Sequence, residues 1–201
     1  SEIQSYFPWH CTFLNDANAG AFAEGIGSDL PSSFFYLSLS NTVGGAIFHD
    51  GNLLPGDAFR CGEAGHMTLI PDGKPCYCGK TGCVDAYCSA RLLSDLSGGR
   101  LEDFFLGLQQ NNPDYRSVWD TYLKHLAVVI NNLHMILDYD IVLGGYVGSF
   151  LSPWLDTIRR LVAEHNTFED DGSFVKLCTY QTGAAAYGAA MDVMEEFLRT
   201  V

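Results

Sequence analysis

Three cysteines, Cys76, Cys78 and Cys83, crowd into one short stretch, and His66 precedes them at a distance that a loop can close. Together they offer three sulfurs and one imidazole, the donor set of a closed tetrahedral zinc site. Four protein ligands leave no open coordination position, so such a zinc is structural. It would pin the Gly- and Pro-rich segment 62–85, whose apolar content is too small to hold it. A disulfide is the competing use of these sulfurs. One residue separates Cys76 from Cys78, too little for an unstrained bridge, and seven cysteines is an odd count that fits a reducing compartment. Cys11, Cys61, Cys88 and Cys178 are then expected to be free thiols.

A second group of polar residues flanks this stretch. Asn15-Asp16-Ala17-Asn18-Ala19 opens an Ala-rich segment, where both Asn15 and Asp16 are good helix caps. Glu63-x-Gly-His66 leads into the cysteines, and the acid Asp85 follows them, itself a candidate helix cap. In combination, Glu63-x-Gly-His66, the Cys-x-Cys-Gly-x-x-Gly-Cys run ending at Cys83 and the acid at Asp85 closely resemble the signature of the ROK family of sugar-responsive repressors and sugar kinases. The resemblance runs from about Phe7 to the C-terminus.

That resemblance implies an α/β, actin-like ATPase (ribonuclease H-like) lobe: a mixed sheet flanked by helices and carrying a zinc-stabilised loop. It implies that Asn15, Asp16, Glu63, His66 and Asp85 hold sugar hydroxyls, with Gly45 letting the backbone approach the ligand. Several carboxylates in one cleft suit hydroxyls that both donate and accept. His66 has two roles, since one ring nitrogen can ligate zinc and the other meet the sugar. Most family members have Glu where Asp85 stands, so one acceptor is retracted by a methylene here. In the kinases the residue matching Asp16 is the catalytic base. A base must lie within hydrogen-bond reach of its proton, so Asp16 is expected to face the same cleft as Glu63.

The resemblance departs at the phosphate loop. The kinases carry Gly-Thr-Gly-x-Gly-x-Gly, whereas this chain reads Ser40-Asn41-Thr42-Val43-Gly44-Gly45-Ala46. Side chains stand where backbone amides would approach phosphate. Gly44, Gly144 and Gly145 are the remaining candidates for nucleotide contact. The altered loop favours a sugar-sensing effector domain of a ROK-type transcriptional regulator, of the xylose- or N-acetylglucosamine-repressor type, without kinase activity. The alternative is an ATP-dependent sugar kinase, glucokinase-like, using ATP and magnesium.

The elements that must position these groups follow from periodicity. Trp9–Leu14 alternates weakly and predicts a strand, followed by a capped helix over 15–24. Phe34–Leu39 and Val43–Phe48 predict two strands, and Asp50-Gly51 a hairpin turn into a third. After the cysteine loop, helices are expected over 84–96, 101–108 and 115–137. The last has Val118, Tyr122, Leu126, Val129, Ile130, Leu133 and Leu137 at helical spacing. His125 and His134 on it are expected to be satisfied or exposed rather than ligands. A buried strand 140–146, a helix 150–165, a strand 174–179 and a helix 183–198 complete an α/β order. Residues 1–30 are expected to end a first lobe and 31–201 to form a C-terminal one, with a phosphate loop and, in a regulator, a winged helix-turn-helix lying upstream.

Composition sets the remaining bounds. The chain has 201 residues, 47% of them hydrophobic, enough for one substantial core. No apolar run approaches the ~20 residues that span a bilayer, and no signal-type start is present, which predicts a cytoplasmic protein. Eleven Lys and Arg against 24 Asp and Glu give a formal charge of −13, which opposes extended contact with a phosphate backbone. DNA is therefore expected only through a separate N-terminal domain. A small-molecule sugar and a homodimer or higher homo-oligomer are the expected partners.

Overall fold

The computed structural model describes residues 2–9 and 11–200. Its centre is a five-stranded sheet in the order β3-β2-β1-β4-β5. The strands are β1 (Phe34–Leu39), β2 (Val43–His49), β3 (Asn52–Leu53), β4 (Asp140–Gly144) and β5 (Val175–Leu177). β1 pairs antiparallel with β2 and parallel with β4, so the expected meander and the parallel half of the sheet meet on one strand.

Every residue of β1 is buried, because the sheet is covered on both faces. Alternation divides its side chains. Phe34 and Tyr36 join Phe48, Val142 and Phe22 beneath helix α1 (Asp16–Gly27) and helix α8 (Ala184–Thr200). Phe35, Leu37 and Leu39 face the opposite layer. That layer comprises α2 (Asp85–Cys88), α3 (Arg91–Ser94), α4 (Leu101–Gln109), α5 (Pro113–Leu137) and α7 (Leu155–Ala163), while the short α6 (Gly145–Gly148) follows β4 directly.

α5 shows why the sequence folds this way. The Asn112 side chain caps it by accepting the Asp114 and Tyr115 N–H groups at 3.0 and 3.3 Å, and Pro113 takes the first turn, where no N–H is needed. Trp119, Tyr122, Leu123, Leu126 and Ile130 form its buried stripe, whereas Val118 and Leu137 sit at the margin, half-buried. His134 is satisfied, its ring nitrogens meeting the Tyr139 carbonyl and Glu169, and His125 packs edge-on against Tyr87.

Three expected elements differ. Trp9–Leu14 forms no strand among its described residues, His10 lying outside them. The Gln4 side chain bonds the Trp9 carbonyl and the Cys11 N–H instead. The helix expected over 84–96 breaks at Ser89, which is extended and lets the Ala90 N–H donate to the Ser40 carbonyl at 2.7 Å. The helix expected from Phe150 starts at Leu155, after a 3-10 turn, Ser152–Trp154, that contains Pro153. No helix of the described residues is long and apolar enough to cross a membrane.

Candidate active site and metal centre

Three separate segments converge on the first three residues of β2. The Val43 N–H donates to Asp85 Oδ1 at 2.6 Å. The 3-10 turn Ala64–His66 lies so close to β2 that a Cβ on Gly65 would overlap the Val43 carbonyl oxygen, which is why Glu63-x-Gly-His66 needs its glycine. A Cβ on Gly45 would stand 2.5 Å from the Gly62 carbonyl, and one on Gly44 would touch Ala17 of α1 at 3.2 Å. The start of β2 thus fixes α1, the Glu63–His66 turn and α2 relative to one another.

On one side of this hub lies a cleft of about 230 Å³ lined by Asp16, Tyr36, Ser38, the Ser40–Thr42 turn and Gly145, with Gln181 and Thr182 on its far wall. Asn41, Tyr146 and Thr182 also border a second hollow of about 290 Å³, whose walls include Leu101 and Phe150. A polar compartment therefore continues into one with apolar walls. Asp16 stands in the first turn of α1, exposed, with one carboxylate oxygen accepting the Ala17 N–H at 2.9 Å. Asn15 is the helix cap, its Oδ1 accepting the Ala17 and Asn18 N–H groups at 2.9 and 3.4 Å, which leaves its amide N–H groups free for a ligand.

The Ala64–His66 turn also carries the first member of a candidate metal cluster. Ligand atoms of His66, Cys76, Cys78 and Cys83 all lie within 4.8 Å of one another. Zn–S bonds of ~2.3 Å put two sulfurs ~3.8 Å apart across a tetrahedron. The Sγ atoms of Cys78 and Cys83 are 3.7 Å apart. The Lys80 N–H draws the Cys78 thiol below its ordinary pKa, while burial and then the neighbouring sulfurs push Cys83 up to about 12. Three thiolates this close repel one another until a cation sits among them, so the donor set fits a soft divalent metal. No cysteine of the chain is paired in a disulfide. Tyr77, inside the loop, brings its hydroxyl to 3.2 Å from His66 Nε2. Burial, then the charges of Asp85, Cys76 and Glu63, raise its pKa, which sets this hydroxyl among the same acids.

Of the residues expected to meet a sugar, Asp16 lines the cleft. Glu63 and His66 are exposed beside the hub rather than in the cleft wall. Asp85 does not cap its helix, since Val84 holds that position, and its buried carboxylate anchors β2 instead. The space above Gly45 belongs to Gly62 and Phe35. Gly145 lines the cleft, and Gly144 packs beneath it against Tyr36. Sequence reasoning missed Tyr36, Gln181 and Thr182. The first reads as an ordinary strand aromatic, and the other two carry no motif, although Gln181 takes a left-handed backbone with φ 49°. Asp85→Ala is expected to lower unfolding free energy by about 1–3 kcal/mol, the cost of orphaning a buried N–H, and Asp85→Asn to restore most of it. Chemical denaturation measures both; an alanine variant as stable as the parent removes the anchor role.

The sequence pattern of the ROK family matches residues 1–196. An N-acetylmannosamine kinase of Escherichia coli O7:K1 is 32% identical over 194 residues, covering 92% of this chain and 65% of that protein. The solved structure of a ROK family glucokinase from Streptomyces griseus, in complex with glucose and AMPPNP, superposes with a TM-score of 0.78 at 21% identity, over 94% of this chain and 70% of that one. A ROK family transcriptional regulator, a homologue of the E. coli MLC protein, shares the fold at a TM-score of 0.68 and 22% identity, over 88% and 50%. This chain spans about half to two-thirds of the length of the curated relatives it matches.

The curated relatives being kinases, the expectation of a regulator's effector domain is overturned. The altered turn does not argue against this: Ser40, Asn41 and Thr42 all line the cleft, so hydroxyl- and amide-bearing residues stand there in place of the lost glycines. The actin-like ATPase fold, a mixed sheet between helical layers, is shared with the solved sugar kinases, and the chain belongs to the ROK family.

Proposed function

We propose that this chain carries the sugar- and nucleotide-binding portion of an ATP-dependent sugar kinase whose acceptor is N-acetylmannosamine or a closely related hexose. The observation that carries the reading is the presence of Asp16 in one cleft with the Ser40–Thr42 turn and Gly145. A carboxylate suited to take a hydroxyl proton thereby shares a hollow with donors suited to phosphate. The identity of the curated relatives supports the acceptor class.

In this reading Asp16 takes the proton of a sugar hydroxyl as that oxygen bonds to the terminal phosphorus of ATP and the bond to the ADP oxygen breaks. Bound ATP and its magnesium supply the transferable phosphoryl group. The Asn15 amide, Glu63, His66 and the second oxygen of Asp85 hold the other hydroxyls, and Gly45 shapes this site through its contact with Gly62. Gly44, Gly144 and Gly145 keep the backbone low beneath the phosphates, and the hollow beside Leu101 and Phe150 suits the base. A structural zinc on His66, Cys76, Cys78 and Cys83 holds the imidazole in position. Residues 1–30 end a first lobe, which the exposed Tyr6, Phe7, Trp9 and Phe13 support, and include the linking helix α1, which packs on the sheet of the C-terminal lobe 31–201.

An ADP-release assay on the purified protein over N-acetylmannosamine, glucose, mannose and N-acetylglucosamine tests the reading. Sugar-dependent turnover, highest with N-acetylmannosamine, is expected. ADP release that no sugar stimulates overturns it.

A further inference from the structure

Tyr36 occupies the middle of β1 and is 1% exposed, with its ring packed beneath α1, yet it is one of the residues lining the cleft. The end that reaches the cleft is the hydroxyl, which accepts the N–H of Gly145, itself a lining residue, at 3.3 Å. Acting as an acceptor leaves the hydroxyl's own proton unused. Among the described residues no hydrogen bond from Tyr36 to an acceptor is present. A buried O–H without an acceptor forfeits a hydrogen bond, so this one is complete only when a ligand oxygen arrives.

The surrounding glycines make room for the hydroxyl itself. A Cβ on Gly144 would overlap the Tyr36 hydroxyl, and one on Gly20 would stand 3.0 Å from it. Burial, then the charges of Cys178, Glu24 and Asp16, hold the hydroxyl far above its ordinary pKa, against the opposing pull of the Gly145 N–H. It therefore stays protonated, and a donor, at neutral pH. The cleft contains no Lys or Arg among its described lining residues, so an anionic ligand there depends on neutral donors. Ser38 and Ser40 already share a contact at 3.3 Å between their hydroxyls, whereas Tyr36 is buried within the electrostatic reach of Asp16.

Resting on the kinase reading, we propose that the Tyr36 hydroxyl donates to the terminal phosphoryl group of bound ATP and thereby favours ATP over ADP. The group it would touch is the one transferred, because Asp16 faces the attacking hydroxyl in the same cleft.

Titration calorimetry with magnesium–AMPPNP and with magnesium–ADP, on the parent and on Tyr36→Phe, separates the possibilities. The phenylalanine is expected to weaken AMPPNP about tenfold or more, the range for a hydrogen bond to a charged group, and ADP by less than about twofold. Unchanged AMPPNP affinity, or equal weakening of both nucleotides, overturns the proposal while leaving the kinase reading intact. A parent that binds neither nucleotide overturns both. Should Tyr36→Phe fail to fold, the parent labelled with 3-fluorotyrosine provides a second measurement: AMPPNP must shift the Tyr36 fluorine resonance and ADP must not, and equal shifts overturn the proposal.

Discussion

Asp16→Asn is expected to lower the turnover number for sugar phosphorylation by about 10²–10⁴-fold, the usual contribution of a positioned general base. Sugar and nucleotide dissociation constants should stay within about fivefold, because asparagine keeps the size and an acceptor oxygen and loses mainly the ability to take a proton. The structure makes this substitution clean. Asn15, not Asp16, caps α1, and the Asp16 oxygen that accepts the Ala17 N–H at 2.9 Å has a direct replacement in the amide oxygen. Helix and cleft wall therefore persist while proton transfer fails. Steady-state turnover at saturating substrates, with calorimetry for each ligand, decides the matter. A variant that turns over like the parent removes Asp16 from the chemistry; one that loses sugar binding and retains turnover makes it a recognition residue only.

What the sequence made legible follows from how local each cause is. β1 is readable because six consecutive apolar or small residues must be covered on both faces, and α5 because Asn112-Pro113 starts it and a buried stripe runs its length. The cluster of four candidate metal ligands is legible for a similar reason, since short spacing alone brings Cys76, Cys78 and Cys83 together. Contacts between distant segments were not. Nothing local at Ser89 says that the chain must step out of helix for Ala90 to reach the Ser40 carbonyl, fifty positions earlier. Asp85 looks locally like a cap or a sugar ligand, because the Val43 N–H it serves belongs to a strand 42 positions earlier. Tyr36 hides its chemistry in a strand that looks purely apolar, and only the glycines at 20 and 144 reveal it, by the room they leave. The glycines lost at 40–42 are visible in the sequence, whereas the place of the residues gained there, lining the cleft, emerges only once the turn is folded.

Removing the metal is expected to have the largest effect on stability. The purified protein should carry one zinc per chain, and Cys83→Ser should lose it and lower the melting temperature by about 10 °C. That figure corresponds to ~3–5 kcal/mol at the ~2–4 °C per kcal/mol of a domain this size, well below the ~10–16 kcal/mol with which small zinc peptides bind their metal. The smaller cost is a consequence of the fold. The loop has anchors that do not pass through the ligands: the Lys74 N–H donates to the Tyr87 hydroxyl at 2.6 Å, the Val84 N–H to the Met67 carbonyl at 2.9 Å, and Asp85 holds Val43. Without zinc the segment should stay tethered at both ends while its tip, 76–83, loses order, since the three sulfurs then repel or reprotonate. Function should divide accordingly. If zinc is held as proposed, His66 depends on the metal and the Asp16 cleft does not, so chelation should weaken sugar binding and leave nucleotide affinity nearly unchanged. Elemental analysis, melting curves and paired calorimetric titrations read all three outcomes. Protein without zinc, or a Cys83→Ser variant with unchanged metal content and melting temperature, shows that the four groups meet for another reason.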